Sequence, residues 1–178
     1  MLIVYAMIIN AFVHLYYKPK YPTVSLTSVT VSSFTTSSKS STISSDITLT
    51  VTLKNPNEDM DITYGGIDSH VLYHDDFIAT NDYRSFVHNA GETISKVIRL
   101  VEEDGNVDAH TINAIDGDVA NNHGVVKFEV KMEALLAFSK IHWIPELLAV
   151  SCPDVNIQFE NGTTKGTMVG PAVTCSAF

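Results

Sequence analysis

A seven-residue stretch of the chain alternates strictly between apolar side chains and threonine. In 47–53, Ile, Leu or Val occupies every second position, and threonine fills the positions between them. Successive side chains of an extended strand point to opposite faces, so this period of two places the apolar side chains in one row. The β-branched residues favour the same backbone conformation. The stretch therefore predicts a half-buried β-strand and a β-rich fold.

Shorter runs of the same kind recur along the chain, separated by residues that favour turns. Residues 32–41 are predicted to be a loop, residues 101–124 a long loop or a short irregular helix, and residues 134–143 either a helix or an extended, bulged strand. Seven or so strands punctuated by turns predict an all-β fold, an antiparallel β-sandwich of the immunoglobulin or fibronectin III kind. The predicted strands besides 47–53 are 23–31, 62–64, 71–74, 93–101, 126–132, 148–159 and 168–175.

The first 17 residues are almost entirely apolar and end at Lys18-Pro19-Lys20. A helix of this length spans about 25 Å, slightly less than the roughly 30 Å of a bilayer core. The aromatic and basic residues that follow resemble a membrane-surface collar. We therefore predict a transmembrane anchor over 1–17, with a cleavable signal peptide or a buried core helix as alternatives. No basic residue precedes the run, which indicates a truncated or alternative start.

Composition divides the rest of the chain and excludes some ligands. Residues 18–45 form a Ser/Thr-rich juxtamembrane segment that includes the first strand, and residues 46–178 form the predicted sandwich domain. The chain has 11 Lys and Arg against 20 Asp and Glu. Without Lys18 and Lys20, this leaves 9 against 20, a net charge of −11. Such an acidic domain repels nucleic acid and anionic lipid, so neither is expected as a ligand.

Two covalent features bear on the compartment in which the domain folds. Cys152 and Cys175 lie in two segments predicted to be neighbouring strands, so they form a disulfide if they face one another and remain buried free thiols otherwise. Asn161-Gly162-Thr163 is a sequon that predicts possible N-glycosylation of Asn161. Lys18 and Lys20 alone favour a cytosolic domain by the positive-inside rule. The cysteine pair and the sequon favour the extracytoplasmic side, which we predict.

The sequence carries no recognisable catalytic motif. It has no phosphate-binding glycine loop, no Gly-x-Ser-x-Gly, no His-Glu-x-x-His and no Cys-x-x-Cys. The nearest approach to a metal cluster is His70 and His74 with Asp75 and Asp76, which solvated polarity at a strand tip explains more simply. We therefore predict no enzymatic activity, no catalytic residue, no metal and no cofactor.

The aromatic residues allow one further interpretation. Trp143 with Tyr73, Tyr83 and Phe86 offers the residue types of a sugar-stacking platform. Aromatic side chains more often pack in the core of a domain. A glycan-binding surface is therefore the weaker interpretation of these four residues.

The apolar start with 18–22 is followed by an ordered series of short motifs, at 49–57, Ile62-x-Tyr64, 71–73, 126–130 and 152–155. This series resembles the plant late embryogenesis abundant group 2 proteins, in the branch related to harpin-induced and non-race-specific disease resistance proteins. In that resemblance, Asn55, Pro56 and Asn57 form a structural turn after a strand. The chain departs from the family pattern at Gly65-Gly66, in the absence of a basic N-terminal tail, and in 132–151, which lacks the Lys- and Arg-rich character common in relatives.

The resemblance implies a single-pass plasma-membrane protein with a β-sandwich outside the membrane. Such proteins act in pathogen defence and abiotic stress through binding or scaffolding, without known catalysis. The expected function is therefore a membrane-anchored, non-enzymatic interaction module with protein partners. A desiccation-type protective protein and a cell-wall glycan-binding protein are the alternatives. Neither the partner nor the oligomeric state follows from the sequence.

Overall fold

The computed structural model describes residues 18–160 and 162–177, with the backbone alone described for residues 142–144. This part of the chain forms one α-helix and a series of β-strands. In chain order they are β1 (Thr23–Ser37), β2 (Thr42–Lys54), β3 (Ile62–Tyr64), β4 (Ile67–Tyr73), β5 (Asp76–Tyr83), β6 (Phe86–His88), β7 (Thr93–Asn106), α1 (Ala109–Asn121), β8 (Val125–Phe138), β9 (Ile141–Phe159), β10 (Gly166–Met168), β11 (Val173–Thr174) and β12 (Ser176–Ala177).

The strand predicted from the alternation in 47–53 is confirmed as the centre of β2. Its apolar side chains are buried at every second position, and the threonines between them are half-buried. β2 pairs in antiparallel fashion with β1 on one side and with β7 on the other. Hydrogen bonds on both edges fix the register, so the apolar row of β2 faces the core along the whole strand.

The strands form one continuous sheet, which shows that the predicted antiparallel β-sandwich is wrong. The order along the sheet is β5-β4-β8-β9-β10-β1-β2-β7. Strands β1 and β9 are joined through the C-terminal segment. β10 pairs with both of them, β11 pairs with β1, and β12 pairs with β9. Three short strands near the end of the chain therefore connect the two halves.

The two outer edges of this sheet also approach each other, which gives it a nearly closed, barrel-like form. The side-chain amide of Asn81 in β5 donates to the carbonyl of Arg99 in β7 at 2.5 Å. Long strands make this curvature possible, since β9 runs for 19 residues and β1 for 15. Register shifts in β1 mark bulges, and bulges bend and twist a strand. Long, bent strands can pair with neighbours in both halves of the sheet, unlike the short strands of the predicted sandwich.

One end of the core is covered by α1. Ile112 and Ile115 on this helix are fully buried. The side chain of Asp108 accepts a hydrogen bond from the backbone N–H of His110 and caps the first turn. Within 101–124, predicted as a long loop or a short irregular helix, residues 101–106 belong to β7 and residues 109–121 form α1. Residues 134–138 belong to a strand. β1 also continues to Ser37, into the predicted loop 32–41.

The anchor predicted for residues 1–17 lies outside the described residues. In the part of the chain that the structure describes, no helix is both long enough and apolar enough to cross a bilayer. The predictions of a single-pass membrane protein, a plasma-membrane location and an extracytoplasmic domain are therefore corrected, because the structure offers them no support.

Candidate functional site

Two exposed leucines face each other on the outer surface of the sheet. Leu135 in β8 lies opposite Leu147 in β9, and their exposed fractions are 54% and 60%. Side chains directly opposite on antiparallel strands have Cβ atoms about 5 Å apart, so the two leucines form one apolar surface. The next residues along the strands, Leu136 and Leu148, point inward and are buried. The hairpin is thus apolar on both faces at this point.

The neighbouring strands extend this apolar area. Thr63 in β3 lies opposite Ala137 on one side and opposite Val87 in β6 on the other, and Val87 is 59% exposed. Beside Leu135 stands Gly65, where an added Cβ would lie 3.4 Å from the Cβ of Leu135. Glycine therefore leaves this flank of Leu135 open. We call the area formed by Leu135, Leu147, Ala137, Val87 and Thr63 the Leu135 surface.

Polar side chains lie around the Leu135 surface. Glu133, two residues before Leu135 on the same face of β8, is half-buried. Tyr21 donates a hydrogen bond from its hydroxyl to the carboxylate of Glu146, which lies opposite Leu136 and therefore on the other face of the hairpin. This hydrogen bond, helped by burial and by the negative charge of Glu146, raises the pKa of the Tyr21 hydroxyl. Lys140, at the tip of the same hairpin, pairs with Asp59 at 2.5 Å. An apolar centre with a polar border is the usual anatomy of a protein-binding surface.

Buried aromatic rings support the sheet behind this surface. The ring of Tyr64 stacks on Phe86 with centroids 4.5 Å apart, and its hydroxyl lies 3.5 Å from Nδ1 of His88. Nε2 of His88 lies 2.9 Å from the carbonyl of Glu92. Burial raises the pKa of the Tyr64 hydroxyl, which therefore stays protonated. Because Tyr64 and His88 are fully buried, this pair acts as support and is not available for chemistry on an outside substrate.

The predicted turn at Asn55-Pro56-Asn57 follows β2 and is held by buried side chains. The amide of Asn55 donates to the carbonyls of Met60 and Asn89, and its oxygen accepts from the backbone N–H of Asn57. Asn57 in turn bonds to Lys20 at the beginning of the described chain. These asparagines fix the loops next to the Leu135 surface and are not exposed for binding.

The two cysteines are joined in the structure. Cys152 in β9 and Cys175, between β11 and β12, form a disulfide with Cα atoms 4.2 Å apart. The backbone N–H of Cys175 also donates to the carbonyl of Val24 in β1. The disulfide therefore links β9 to the C-terminal segment that connects the two halves of the sheet. The possible glycosylation site, Asn161, lies outside the described residues.

The structure does not assemble the other candidate sites. Tyr73 is buried and packs against Phe128 at 6.0 Å, away from the pair formed by Tyr83 and Phe86, while the side chain of Trp143 is not among those described. In 18–160 and 162–177, no three His, Cys, Asp or Glu side chains gather as a metal site would require.

The Leu135 surface did not follow from the sequence analysis, although the sequence holds an indication of it. Apolar and charged residues alternate in 126–132, and the run Ala134–Phe138 then breaks the pattern with five apolar residues. In a strand, such a run must place apolar side chains on the outer face as well as the inner one. Because the sequence allows either a helix or a strand over 134–143, it does not by itself place apolar side chains on the outer face of a sheet.

Comparison with known proteins adds little to these observations. No family model matches the chain, and no curated protein matches it. A crystal structure of a protein from Archaeoglobus fulgidus is similar over 76% of this chain and 98% of its own, at 9% sequence identity and a TM-score of 0.44. The resemblance to late embryogenesis abundant group 2 proteins stays a prediction. Neither these comparisons nor the structure support the defence and stress roles that it implies.

Proposed function

We propose that the protein is a non-enzymatic interaction module that binds a partner protein through the Leu135 surface. The observation that carries this proposal is the exposed cross-strand pair of Leu135 and Leu147, extended by Val87. Contiguous exposed apolar area on a folded domain is costly in water and is typical of interaction sites. A rigid sheet suits such a role because little conformational entropy is lost on binding.

Charge favours a different protein as the partner over a second copy of this chain. Each copy carries a formal net charge of −9, so two copies repel one another. A partner with an apolar surface and a basic border would gain the hydrophobic contribution and would be attracted by the negative charge of this chain. The proposal therefore commits to a partner that presents an apolar centre bordered by Lys or Arg.

The test compares two variants that remove exposed apolar side chains from different places. Leu135→Ser with Leu147→Ser alters the proposed surface. Val97→Ser with Val101→Ser removes two exposed valines from the outer face of β7 and serves as the control. We expect a partner captured by the wild type to be lost with the leucine variant and retained with the control. With the purified partner, the leucine variant should raise Kd by at least about 30-fold, as for a binding hot spot.

Two results would count against the proposal. One is equal capture by the wild type and the leucine variant, with both proteins shown to be folded by circular dichroism. The other is a loss that is equally large in the valine control, because general stickiness would then explain the capture. Sedimentation of the purified protein separates a third case, in which the surface mediates dimer formation and the leucine variant is monomeric.

The alternatives of a desiccation-type protective protein and a cell-wall glycan-binding protein stay predictions, since no feature of the described residues favours either. The absence of catalysis likewise belongs to the proposal. The full burial of Tyr64 and His88 excludes only this pair as a site for an outside substrate.

A further inference from the structure

A groove lies at the other end of β8 and β9, beside the helix. Its cavity volume is about 180 Å³, and it is bounded by β1, by α1 and by Glu160, Gly162 and Thr163 after β9. Leu135 is eleven residues along β8 from Gly124, roughly 35 Å of extended chain, so the groove is separate from the Leu135 surface. A single water-sized position needs about 10–15 Å³, so the groove has room for a ligand of several heavy atoms.

The floor of the groove is apolar. Phe34 in β1 and Phe159 in β9 contact each other with ring centroids 5.4 Å apart, and both are nearly buried. Ile115 and Val119 contribute the apolar side of the helix. An aliphatic chain lying on these side chains would be removed from water, which favours binding by the hydrophobic effect.

Two carboxylates, those of Asp116 and Glu160, are among the side chains that line the groove. Asp116 projects from α1, where one of its oxygens accepts a hydrogen bond from Thr36 at 2.9 Å. Glu160 lies in the turn after β9. Among the described residues, the four ion pairs are Arg99 with Asp46, Lys127 with Asp154, Lys131 with Glu129 and Lys140 with Asp59, so neither carboxylate has a basic partner.

The helix adds negative potential at the same place. α1 has no basic residue in its last turn, and its second half carries Asp116 and Asp118. The C-terminal end of a helix bears a partial negative charge that cations relieve and carboxylates aggravate. Asp118 does not line the groove, and it accepts a hydrogen bond from the hydroxyl of Tyr73 at 2.8 Å. A positive charge between Asp116 and Glu160 would therefore offset the carboxylates and the helix end together.

We infer that this groove binds a primary alkylammonium group, with the cation between Asp116 and Glu160 and the aliphatic chain on Phe34 and Phe159. The same chemistry is offered by a lysine side chain of another protein and by a free aliphatic amine. Lysine stems commonly lie along apolar surface while the charged end stays in a polar setting. The apolar floor alone would accept any aliphatic chain, and the carboxylates alone would accept any cation. Together they select a ligand that has both an aliphatic chain and a positive charge.

Titration followed by backbone NMR tests the inference with 1,5-diaminopentane and with Nα-acetyl-lysine methylamide. We expect saturable shifts of the amides of Val119, Gly124 and Thr163, with a Kd in the region of about 1 mM, which suits a ligand of this size. 1-Pentanol, which lacks the charge, and methylammonium, which lacks the chain, should each bind at least tenfold more weakly. Shifts with the diamine alone indicate a free amine, and shifts with both probes indicate that a lysine side chain can enter.

Matched variants establish where the ligand is bound. Asp116→Asn with Glu160→Gln removes the two carboxylates and keeps an acceptor for Thr36, and it should raise Kd by at least tenfold. Asp82→Asn with Glu103→Gln makes the same change in net charge at exposed positions outside the groove and should leave Kd unchanged. The inference is overturned if neither probe gives saturable shifts, if 1-pentanol binds as well as the diamine, or if the two double variants weaken binding equally.

Discussion

Asn57 and Lys20 are joined by two reciprocal hydrogen bonds. The amide of Asn57 donates to the carbonyl of Lys20, and the backbone N–H of Lys20 donates to the side-chain oxygen of Asn57, both at 2.8 Å. The side-chain amide of Asn57 thus bonds to both backbone groups of Lys20, as a paired strand would. It fixes the beginning of the described chain against the turn after β2. The pair links the predicted motif at 55–57 to the segment that leads into β1.

Replacing Asn57 with Ala should destabilise the fold measurably. The substitution removes both bonds, and also the bond from the Asn57 amide to the side-chain oxygen of Asn55. It leaves two partly buried backbone groups of Lys20 without these partners, so we expect the free energy of unfolding to fall by about 1–3 kcal/mol. Asn89→Ala is the control, because the side chain of Asn89 is exposed and bonds only to Glu92 among the described residues. Urea denaturation measures both, and equal effects would show that the reciprocal bonds contribute nothing particular.

Ser69→Ala should stabilise the protein. Ser69 is fully buried in β4, and no described residue accepts or donates a hydrogen bond at its hydroxyl oxygen. Removing an unsatisfied buried hydroxyl should raise the free energy of unfolding by roughly 1 kcal/mol. Ser45→Ala provides the comparison, since the Ser45 hydroxyl lies 3.5 Å from the carbonyl of Ile78. A larger gain for Ser45→Ala than for Ser69→Ala would contradict this account.

Reduction of the disulfide should loosen the C-terminal connection between the two halves of the sheet. Cys152 and Cys175 close a loop with a sequence separation of 23. In the chain-entropy model, a loop of this length contributes about 3 kcal/mol of stability. Hydrogen exchange should accelerate first in β10 to β12, with β2 protected. A Cys152→Ala and Cys175→Ala protein should exchange in the same way with or without reductant, and uniform acceleration throughout the reduced wild type would contradict the local role.

Alkaline pH should destabilise the fold in part through Tyr73. Burial, together with the hydrogen bond to Asp118 and its negative charge, raises the pKa of Tyr73 from 10.0 to about 12. Because the unfolded tyrosine ionises first, the stabilisation is present below pH 10 and is lost as the pH rises toward 12. We expect this loss to be about 1–2 kcal/mol.

Tyr73→Phe identifies that contribution. The variant should be somewhat less stable at neutral pH, because it lacks the bond to Asp118, but its stability should decline less steeply between pH 10 and 12. Denaturation curves at several pH values measure the slope. Tyr64 contributes to the remaining decline, since burial also raises its pKa. Parallel declines of the wild type and Tyr73→Phe would contradict the assignment.

The local elements could be predicted from the sequence, and the closure of the sheet could not. The period of two in 47–53 depends only on neighbouring side chains, and it yields the correct strand and buried face. The joining of β1 to β9 depends on β10, β11 and β12, which have three, two and two residues. Such short strands carry no periodic pattern, and their pairing is decided by contacts between distant parts of the chain.

The Leu135 surface likewise depends on which strands pair, and the sequence alone does not give that pairing. The composition of Ala134–Phe138 indicates an apolar segment. Only the pairing of β8 with β9 places Leu135 opposite Leu147. The groove is harder still to foresee. Asp116 and Glu160 are 44 positions apart in the sequence and come together only because α1 covers the end of the core beside the turn after β9.

Site-specific photo-crosslinking tests the proposed interaction most directly. A photoreactive amino acid is placed at Leu147 in one protein and at Val97 in another, two positions that are both 60% exposed. If the Leu135 surface binds a partner, irradiation should produce a discrete covalent adduct from position 147 and none of the same mass from position 97. The same adduct from both positions, or none from position 147, would contradict the proposal.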